Sequence, residues 1–186
     1  MNERTLAILD AAQTVFARYG VAKTTMGDIA EAAGVARQTV YNAFATKNDV
    51  LRAAVRIEVD RCIAEVTEAW KTATSLDERI EQFHRLGPIK WYEVVEASPD
   101  LADLLEGMHH IAKAELAQAE ESWEELFVKM FEAEGITCKD PNVGLKELAD
   151  YIYSTAKNAK FGAKSKDELK YRLHVLRLSI GHMVES

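Results

Sequence analysis

The side chains best suited to bonding another molecule lie in one short stretch, GVARQTVYNAFATKNDVL, at residues 34–51. After Gly34 there is room for about two turns of helix before a longer, more apolar segment begins. Most of the side chains expected on the outer surface of that short helix carry hydrogen-bond donors or acceptors. They are Arg37, Gln38, Thr39, Tyr41 and Asn42. This concentration of polar groups predicts a partner outside the chain.

Nucleic acid offers the groups that such side chains bond. Arginine fits the two acceptors of guanine, and glutamine or asparagine fits the donor and acceptor of adenine. Hydroxyl groups, ammonium groups and helix N-termini are common partners of phosphate. Because the DNA major groove admits one α-helix, the helix predicted over 36–44 has the size and chemistry to enter it.

Residues 26–45 have the pattern of a helix-turn-helix. TMGD, at 25–28, matches a capping box, which predicts a helix over 25–33. Gly34 follows it and supplies a turn in which a positive φ is often needed. The small interior between the two helices is assigned to apolar side chains, namely Ile29, Ala33, Val35 and Val40.

The rest of the sequence predicts an all-α protein, with an N-terminal helix-turn-helix domain and a C-terminal helical domain. Capping-box patterns open helices at 46–49, 75–78 and 165–168, and SPD opens another at 98–100. The Gly87-Pro88 pair is expected to interrupt or kink its helix. The other predicted elements are an N-terminal helix over 3–19 ended by Gly20, a helix over 108–134, a loop over 135–144, and helices over 145–161 and 166–184.

Composition narrows the classes of protein. The chain of 186 residues contains 48% hydrophobic residues and two separated cysteines. It has no apolar run long enough for a membrane span and no secretory signal at its start. These features lead us to expect a cytoplasmic protein. The formal net charge is −7, but residues 1–56 carry +2 and the remainder −9. This asymmetry favours a small N-terminal module that meets a polyanion, attached to an acidic body.

The stretch TTMGDIAEAAGVARQTVYNAFATKNDVL resembles the DNA-binding domain of the TetR family of transcriptional repressors, and the resemblance covers about residues 4–55. Two positions depart from the family pattern. Ala36 replaces a frequent capping residue, and Ala43 replaces an aromatic residue or histidine. The matching positions are Gly20, Thr24, Thr25, Ile29, Ala30, Ala33, Gly34, Val35, Thr39, Val40, Tyr41, Phe44, Lys47 and Leu51.

The resemblance implies a DNA-binding domain at 1–46 and an effector-binding and dimerisation domain at 47–186. It implies a ligand-responsive regulator, a repressor released from a pseudo-palindromic operator by a small effector. Base reading is assigned to Arg37, Gln38, Thr39 and Asn42. Phosphate contacts are assigned to Thr24, Thr25, Tyr41 and Lys47.

The last helix has two apolar faces, and each face needs a partner. Leu169, Leu173, Leu176, Ile180 and Met183 form the first face. Tyr171, Val175 and Leu178 form much of the second. TetR-like proteins dimerise through their last two helices, which implies that one face packs internally and the other contacts a second subunit. Burial of both faces within a monomer is the alternative.

Aromatic and polarisable residues in the middle helices are candidates for an effector pocket, although aromatic residues at helical spacing more often form a core. The candidates are Phe83, Trp91, Tyr92, Met108, His109, Trp123 and Phe127. No cofactor is expected, and metal binding is disfavoured because His109 and His110 point about 100° apart on a helix. No catalytic motif is present, so an enzyme is not expected. A cofactor- or metal-binding helical bundle, suggested by EGMH at 106–109, remains the rival class.

Overall fold

The computed structural model describes residues 2–97 and 110–185, and over these residues the fold is helical apart from one pair of very short strands. The helices are α1 (Glu3–Lys23), α2 (Met26–Ala32), α3 (Arg37–Ala43), α4 (Lys47–Trp70), α5 (Leu76–His84), α6 (Lys90–Glu96), α7 (Lys113–Ala133), α8 (Leu145–Gly162) and α9 (Lys166–Met183). A π-helical turn, Arg85–Ile89, joins α5 to α6. The predicted all-α class, with an N-terminal helix-turn-helix and a C-terminal helical domain, is confirmed.

Helix starts lie where the capping patterns predict them. The Thr25 hydroxyl accepts a hydrogen bond from the Asp28 amide at 3.2 Å, and the Asp28 carboxylate accepts one from the Thr25 amide at 2.8 Å. Thr46 and Asp49 make the same reciprocal pair before α4. Each box satisfies amide groups that have no partner inside the helix, so it fixes the residue at which the helix begins.

The sequence predicts that the first helix ends at Gly20. In the structure the helix continues beyond Gly20. Gly20 has φ 74° and ψ 158°, which is not helical, but helical structure resumes and continues to Lys23. The Thr24 amide and hydroxyl both donate to the Gly20 carbonyl, at 3.3 and 2.8 Å, and close the turn after the break. A glycine with positive φ therefore kinks this helix one turn before its end.

The Gly87-Pro88 pair interrupts the helix without ending it. Pro88 lies inside the π-helical turn, and α6 begins directly afterwards at Lys90. A π turn tolerates the missing amide hydrogen of proline because its hydrogen-bond spacing differs from that of the flanking α-helices.

The predicted loop over 135–144 contains a short strand, β1 (Thr137–Cys138), which pairs antiparallel with β2 (Val184–Glu185). The sequence predicts neither strand, because two residues are too few to show a period of two. The helix predicted after SPD at 98–100, and the first residues of the helix predicted over 108–134, lie outside the described residues.

The chain divides into two compact units. The first consists of the described parts of Met1–Asp60 and Val95–Ala117, and the second of those of Arg61–Val94 and Gln118–Ser186. The first unit has a core that includes Phe16, Ile29 and Val40. The second core is larger and includes Trp70, Phe83, Trp123, Phe127, Ile152 and Leu173. Within the described residues, no helix is long and apolar enough to cross a membrane. The predicted functional division at 46/47 remains a prediction.

Candidate functional site

The α2–turn–α3 segment forms a compact unit with a buried seam. Ile29 and Val40 are fully buried, and Ala30 is nearly so, which permits the two short helices to cross closely. Gly34 has φ 64°, as the turn requires, and the Val35 amide then donates to the Ala30 carbonyl at 3.0 Å. The turn therefore fixes the direction in which α3 leaves α2.

Helix α3 presents its polar side chains to solvent. Arg37, Gln38, Tyr41 and Asn42 are exposed, whereas Thr39 is half-buried. The Gln38 amide nitrogen donates to the Asn42 side-chain oxygen at 2.9 Å, one helical turn away. The four residues predicted to read bases therefore lie on one short helix, and two of them are already bonded to each other. Their role as base readers remains a prediction.

Gly27 is a further residue of this site, and it lies against Arg37 of α3. Any Cβ at Gly27 would collide with the Arg37 guanidinium, so the absence of a side chain there allows Arg37 to lie against the first turn of α2. The Thr25 amide and hydroxyl hold the pKa of Asp28 below its ordinary value, and the charges of Arg37 and Lys47 add to that effect. The only sequence signal for the contact between Gly27 and Arg37 is a glycine inside a short helix, where glycine is unfavourable.

The residues predicted to contact phosphate differ in accessibility. Thr25 and Tyr41 are exposed. Thr24 is only 2% exposed, and its hydroxyl is bonded to Gly20. A phosphate contact from the Thr24 side chain therefore requires that this hydroxyl leave the Gly20 carbonyl.

Lys47 is bonded to the end of α1. Its ammonium group donates to the carbonyl oxygens of Val21 at 2.5 Å, Thr24 at 2.7 Å and Ala22 at 3.2 Å. Carbonyl groups at a helix C-terminus lack partners within the helix and carry partial negative charge, so an ammonium group stabilises them. Lys47 thus ties the first turn of α4 to the end of α1, and its phosphate role remains a prediction.

Three candidates for the effector pocket form part of an aromatic core. The Phe83 ring centroid lies 5.1 Å from that of Trp123 and 5.0 Å from that of Phe127, in edge-to-face geometry. Trp91 and Tyr92 are half-buried. Met108 and His109 lie outside the described residues. The structure thus brings Phe83, Trp123 and Phe127 together by direct packing, and their contact with an effector remains a prediction.

A cleft of about 480 Å³ in the second unit is lined by none of the predicted pocket residues. Its lining includes Ser75, Ile80, Arg177, Ile180 and Val184. Among the described residues, no three His, Cys, Asp or Glu side chains are grouped so that they could hold a metal ion. The EGMH segment of the rival prediction falls outside the part of the chain that the structure describes.

Comparison with known proteins identifies the N-terminal unit. Residues 8–54 match the family described as "Bacterial regulatory proteins, tetR family". Residues 8–54 are therefore a segment of TetR-family type. The matched segment contains α2, the turn, α3 and the start of α4, and therefore every residue predicted to contact DNA.

Two HTH-type regulators illustrate how far the sequence similarity extends. The HTH-type transcriptional repressor LfrR of Mycolicibacterium smegmatis is 39% identical over 110 residues, which cover 54% of this chain and 57% of LfrR. The HTH-type transcriptional regulator TtgR of Pseudomonas putida is 43% identical over 52 residues, which cover 28% of this chain and 25% of TtgR. The chain spans about half the length, or less, of the curated relatives that it matches.

Similarity to solved structures extends over the whole TetR fold. A TetR transcription regulator from Haloarcula marismortui superposes with a TM-score of 0.76 at 18% identity, covering 100% of both chains. The regulator FadR from Bacillus subtilis, solved in complex with stearoyl-CoA, superposes with a TM-score of 0.60 at 20% identity, covering 94% of each chain. At such low identity these neighbours show the fold alone.

Proposed function

We propose that this protein is a homodimeric transcriptional regulator that binds a pseudo-palindromic DNA site through α3 and is released from it by a small effector. The observation that carries the proposal is the exposed polar face of α3, held on a buried seam by the Gly34 turn. A helix of this kind can lie in the major groove, with its first side chains at the base edges. The membership of residues 8–54 in a family of regulatory proteins supports it.

In this proposal the side chains of α3 divide between two tasks. Arg37, Gln38, Thr39 and Asn42 read bases, while Thr25 and Tyr41 bond phosphates beside them. Two copies of α3 in a dimer would lie about 34–36 Å apart, one turn of the duplex, and read two half-sites. The Gln38–Asn42 bond orients both amides before DNA arrives, and so limits the rotamers that must be ordered on binding.

The proposed dimer forms through α8 and α9. Tyr171, Val175 and Leu178 of α9 are 69%, 44% and 52% exposed, and they lie on the side opposite the residues that α9 buries in its own unit. Tyr151 of α8 is also exposed. An exposed apolar surface on two adjacent helices favours a partner helix pair, and a second copy of the chain supplies one.

The proposed effector acts on the second unit and changes the spacing of the two α3 helices. It can do so only through a different affinity for the DNA-binding and released states. The complex of the related FadR with stearoyl-CoA supports a small-molecule ligand for this fold. We place the activity in the cytoplasm, where Cys62 and Cys138 would remain reduced thiols.

Selection of bound sequences from a random DNA pool tests the proposal directly. We expect a two-fold symmetric site, and we expect Arg37→Ala and Gln38→Ala to weaken binding to it by about 1–3 kcal/mol while relaxing preference at one or two positions per half-site. Ala45→Ser, an exposed change just after α3, is the matched control and should leave preference intact. Failure to enrich any sequence would refute the proposal. An absorption spectrum and metal analysis of the same protein test the rival cofactor-binding bundle.

A further inference from the structure

Lys160 near the end of α8 lies among aromatic rings in the second unit. Its ammonium group is 4.0 Å from the ring centroid of Trp91 on α6 and 4.6 Å from that of Phe161. The two rings are themselves in contact, with centroids 5.1 Å apart and an angle of 72° between their planes. The rings attract the cation by their π faces, but they do not neutralise its charge.

The neighbouring cations are neutralised by carboxylates, whereas Lys160 is not. Among the described residues, Lys160 makes no ion pair and no hydrogen bond through its ammonium group. Ion pairs on the same and adjacent helices include Lys157–Glu120, Lys90–Glu65 and Lys166–Glu93. Within the described residues, Lys160 is therefore a cation without a carboxylate partner.

The surroundings of Lys160 make that charge costly. Burial lowers the pKa of Lys160 to about 8, with Cys62 of α4 opposing the shift and Lys157 adding to it. A desolvated ammonium group without a counter-charge is unfavourable, and a bound anion would relieve this. The pKa of Tyr153, one to two turns earlier on α8, is raised to about 12 by burial and by Glu120, so its hydroxyl remains a neutral donor.

The site is open to a ligand from solvent. Phe161 is 47% exposed, and both Trp91 and Lys160 are half-buried. A ligand can therefore reach the cation along two aromatic surfaces. Flat apolar groups pack well on such rings, and a carboxylate forms a charge-assisted hydrogen bond with an ammonium group.

We propose that Lys160 binds the carboxylate of an effector whose flat apolar body lies against Trp91 and Phe161. This inference rests on the proposed function, since it assigns the chemical class of the ligand that would act on the regulator. It adds that the effector is an organic anion, recognised by the half-buried cation of Lys160 rather than by shape alone.

Calorimetry with two probes of the same shape tests the charge requirement on the full chain. Naphthoate carries a carboxylate, and its amide, naphthamide, is neutral. We expect naphthoate to bind at least about tenfold more tightly than naphthamide, because a hydrogen bond between charged groups contributes more than a neutral one. Lys160→Met should abolish the preference, and Lys160→Arg should retain it. Lys146→Met, on an exposed lysine of the same helix, is the matched control.

The outcomes separate this inference from the proposed function. Equal binding of the two probes, no binding of either, or an unchanged preference in Lys160→Met overturns it. If Lys160→Met does not fold, Lys160→Gln takes its place. Naphthoate binding by a protein that selects no DNA sequence supports the anion site and refutes the proposed function. If the protein selects a DNA sequence but binds the two probes equally, the proposed function is supported and the anion site is refuted.

Discussion

At the scale of single residues, Lys47 has one structural role in the fold and one proposed role in DNA binding. It bonds three carbonyl oxygens at the end of α1, and we propose that it also faces a DNA phosphate near the start of α4. An ammonium group has three donor hydrogens, all of which these carbonyls can occupy. A phosphate contact would then be electrostatic, or would replace one of the carbonyl bonds.

We expect Lys47→Met to lower both stability and DNA affinity. Loss of a charged donor to helix carbonyls should reduce the free energy of unfolding by about 1–3 kcal/mol, measured by urea denaturation. Loss of a phosphate contact should weaken all DNA sequences about equally and reduce the salt slope by about 1 per half-site. Lys23→Met, at an exposed lysine in the last turn of α1, is the control for stability. A changed sequence preference in Lys47→Met would contradict the assignment.

His84 is a buried titratable group that the proposed function does not use. It is 4% exposed, and its Nε2 has no hydrogen-bond partner among the described residues. Burial, assisted by the Arg177 guanidinium, lowers the pKa of His84 to about 3. In the unfolded chain the pKa of His84 is about 6.5. Between pH 6.5 and 3 the unfolded state therefore binds a proton at His84 and the folded state does not.

Stability should therefore fall as the pH falls below 6.5. The neutral form of His84 contributes its full stability above the unfolded pKa, and this contribution is lost as the pH falls towards 3. Between pH 6.5 and 5 we expect a loss of about 1.5 kcal/mol in the free energy of unfolding. His84→Leu should flatten the profile in this range, while His110→Leu, at an exposed histidine outside the proposed dimer face, should not. Identical slopes in the wild type and His84→Leu would rule out His84 as the cause.

At the scale of elements, α3 is the helix with the weakest start in the proposed DNA-binding module. Its N-cap residue is Ala36, which has the extended backbone of a cap, φ −66° and ψ 145°, but no side chain that can accept a hydrogen bond. The caps of α2 and α5, Thr25 and Ser75, both accept amide hydrogens. The Thr39 amide donates to the Ala36 carbonyl at 2.9 Å, and the amides of Arg37 and Gln38 are left for solvent or for DNA phosphate.

Ala36→Ser should supply the missing cap. We expect the free energy of unfolding to rise by about 1 kcal/mol, the typical difference between serine and alanine at this position. Ala43→Ser, at the opposite end of α3, adds the same hydroxyl without a cap and should give no increase. Thermal or urea unfolding of the two variants decides between these outcomes. An equal gain in both would show that the added hydroxyl, rather than capping, is responsible.

The sequence predicts those elements whose cause is local. A capping box needs two side chains three residues apart, and the helix starts after Thr25 and Thr46 were predictable for that reason. The pairing of Thr137 with Glu185 joins residues far apart in the chain, and no local sequence pattern predicts it. The three bonds of Lys47 likewise depend on how α1 meets α4. Residue types predicted the exposed polar face of α3, but the Arg37–Gly27 contact depends on how α3 packs against α2.

At the scale of the whole molecule, α9 has one face that its own unit buries and one that it leaves exposed. Leu169, Leu173, Leu176 and Ile180 are at most 3% exposed and belong to the core of the second unit. The opposite face, which includes Leu178, is the proposed contact with a second copy. The fold of the second unit thus explains the first apolar face of α9, and the proposed dimer would explain the second.

A charge placed on each face should therefore have a different effect. Leu178→Glu should leave the helical circular dichroism intact and halve the mass measured by light scattering, because an unpaired charge is costly only where the partner would bury it. Leu176→Glu places the charge in the core and should unfold the second unit. Val94→Glu, at another apolar residue that is 54% exposed, is the control for surface charge and should leave the mass unchanged. A dimer that survives Leu178→Glu would exclude this face as the interface.

Because two half-sites must be held together, the monomeric variant should also lose tight binding to the full DNA site while retaining weak binding to a half-site.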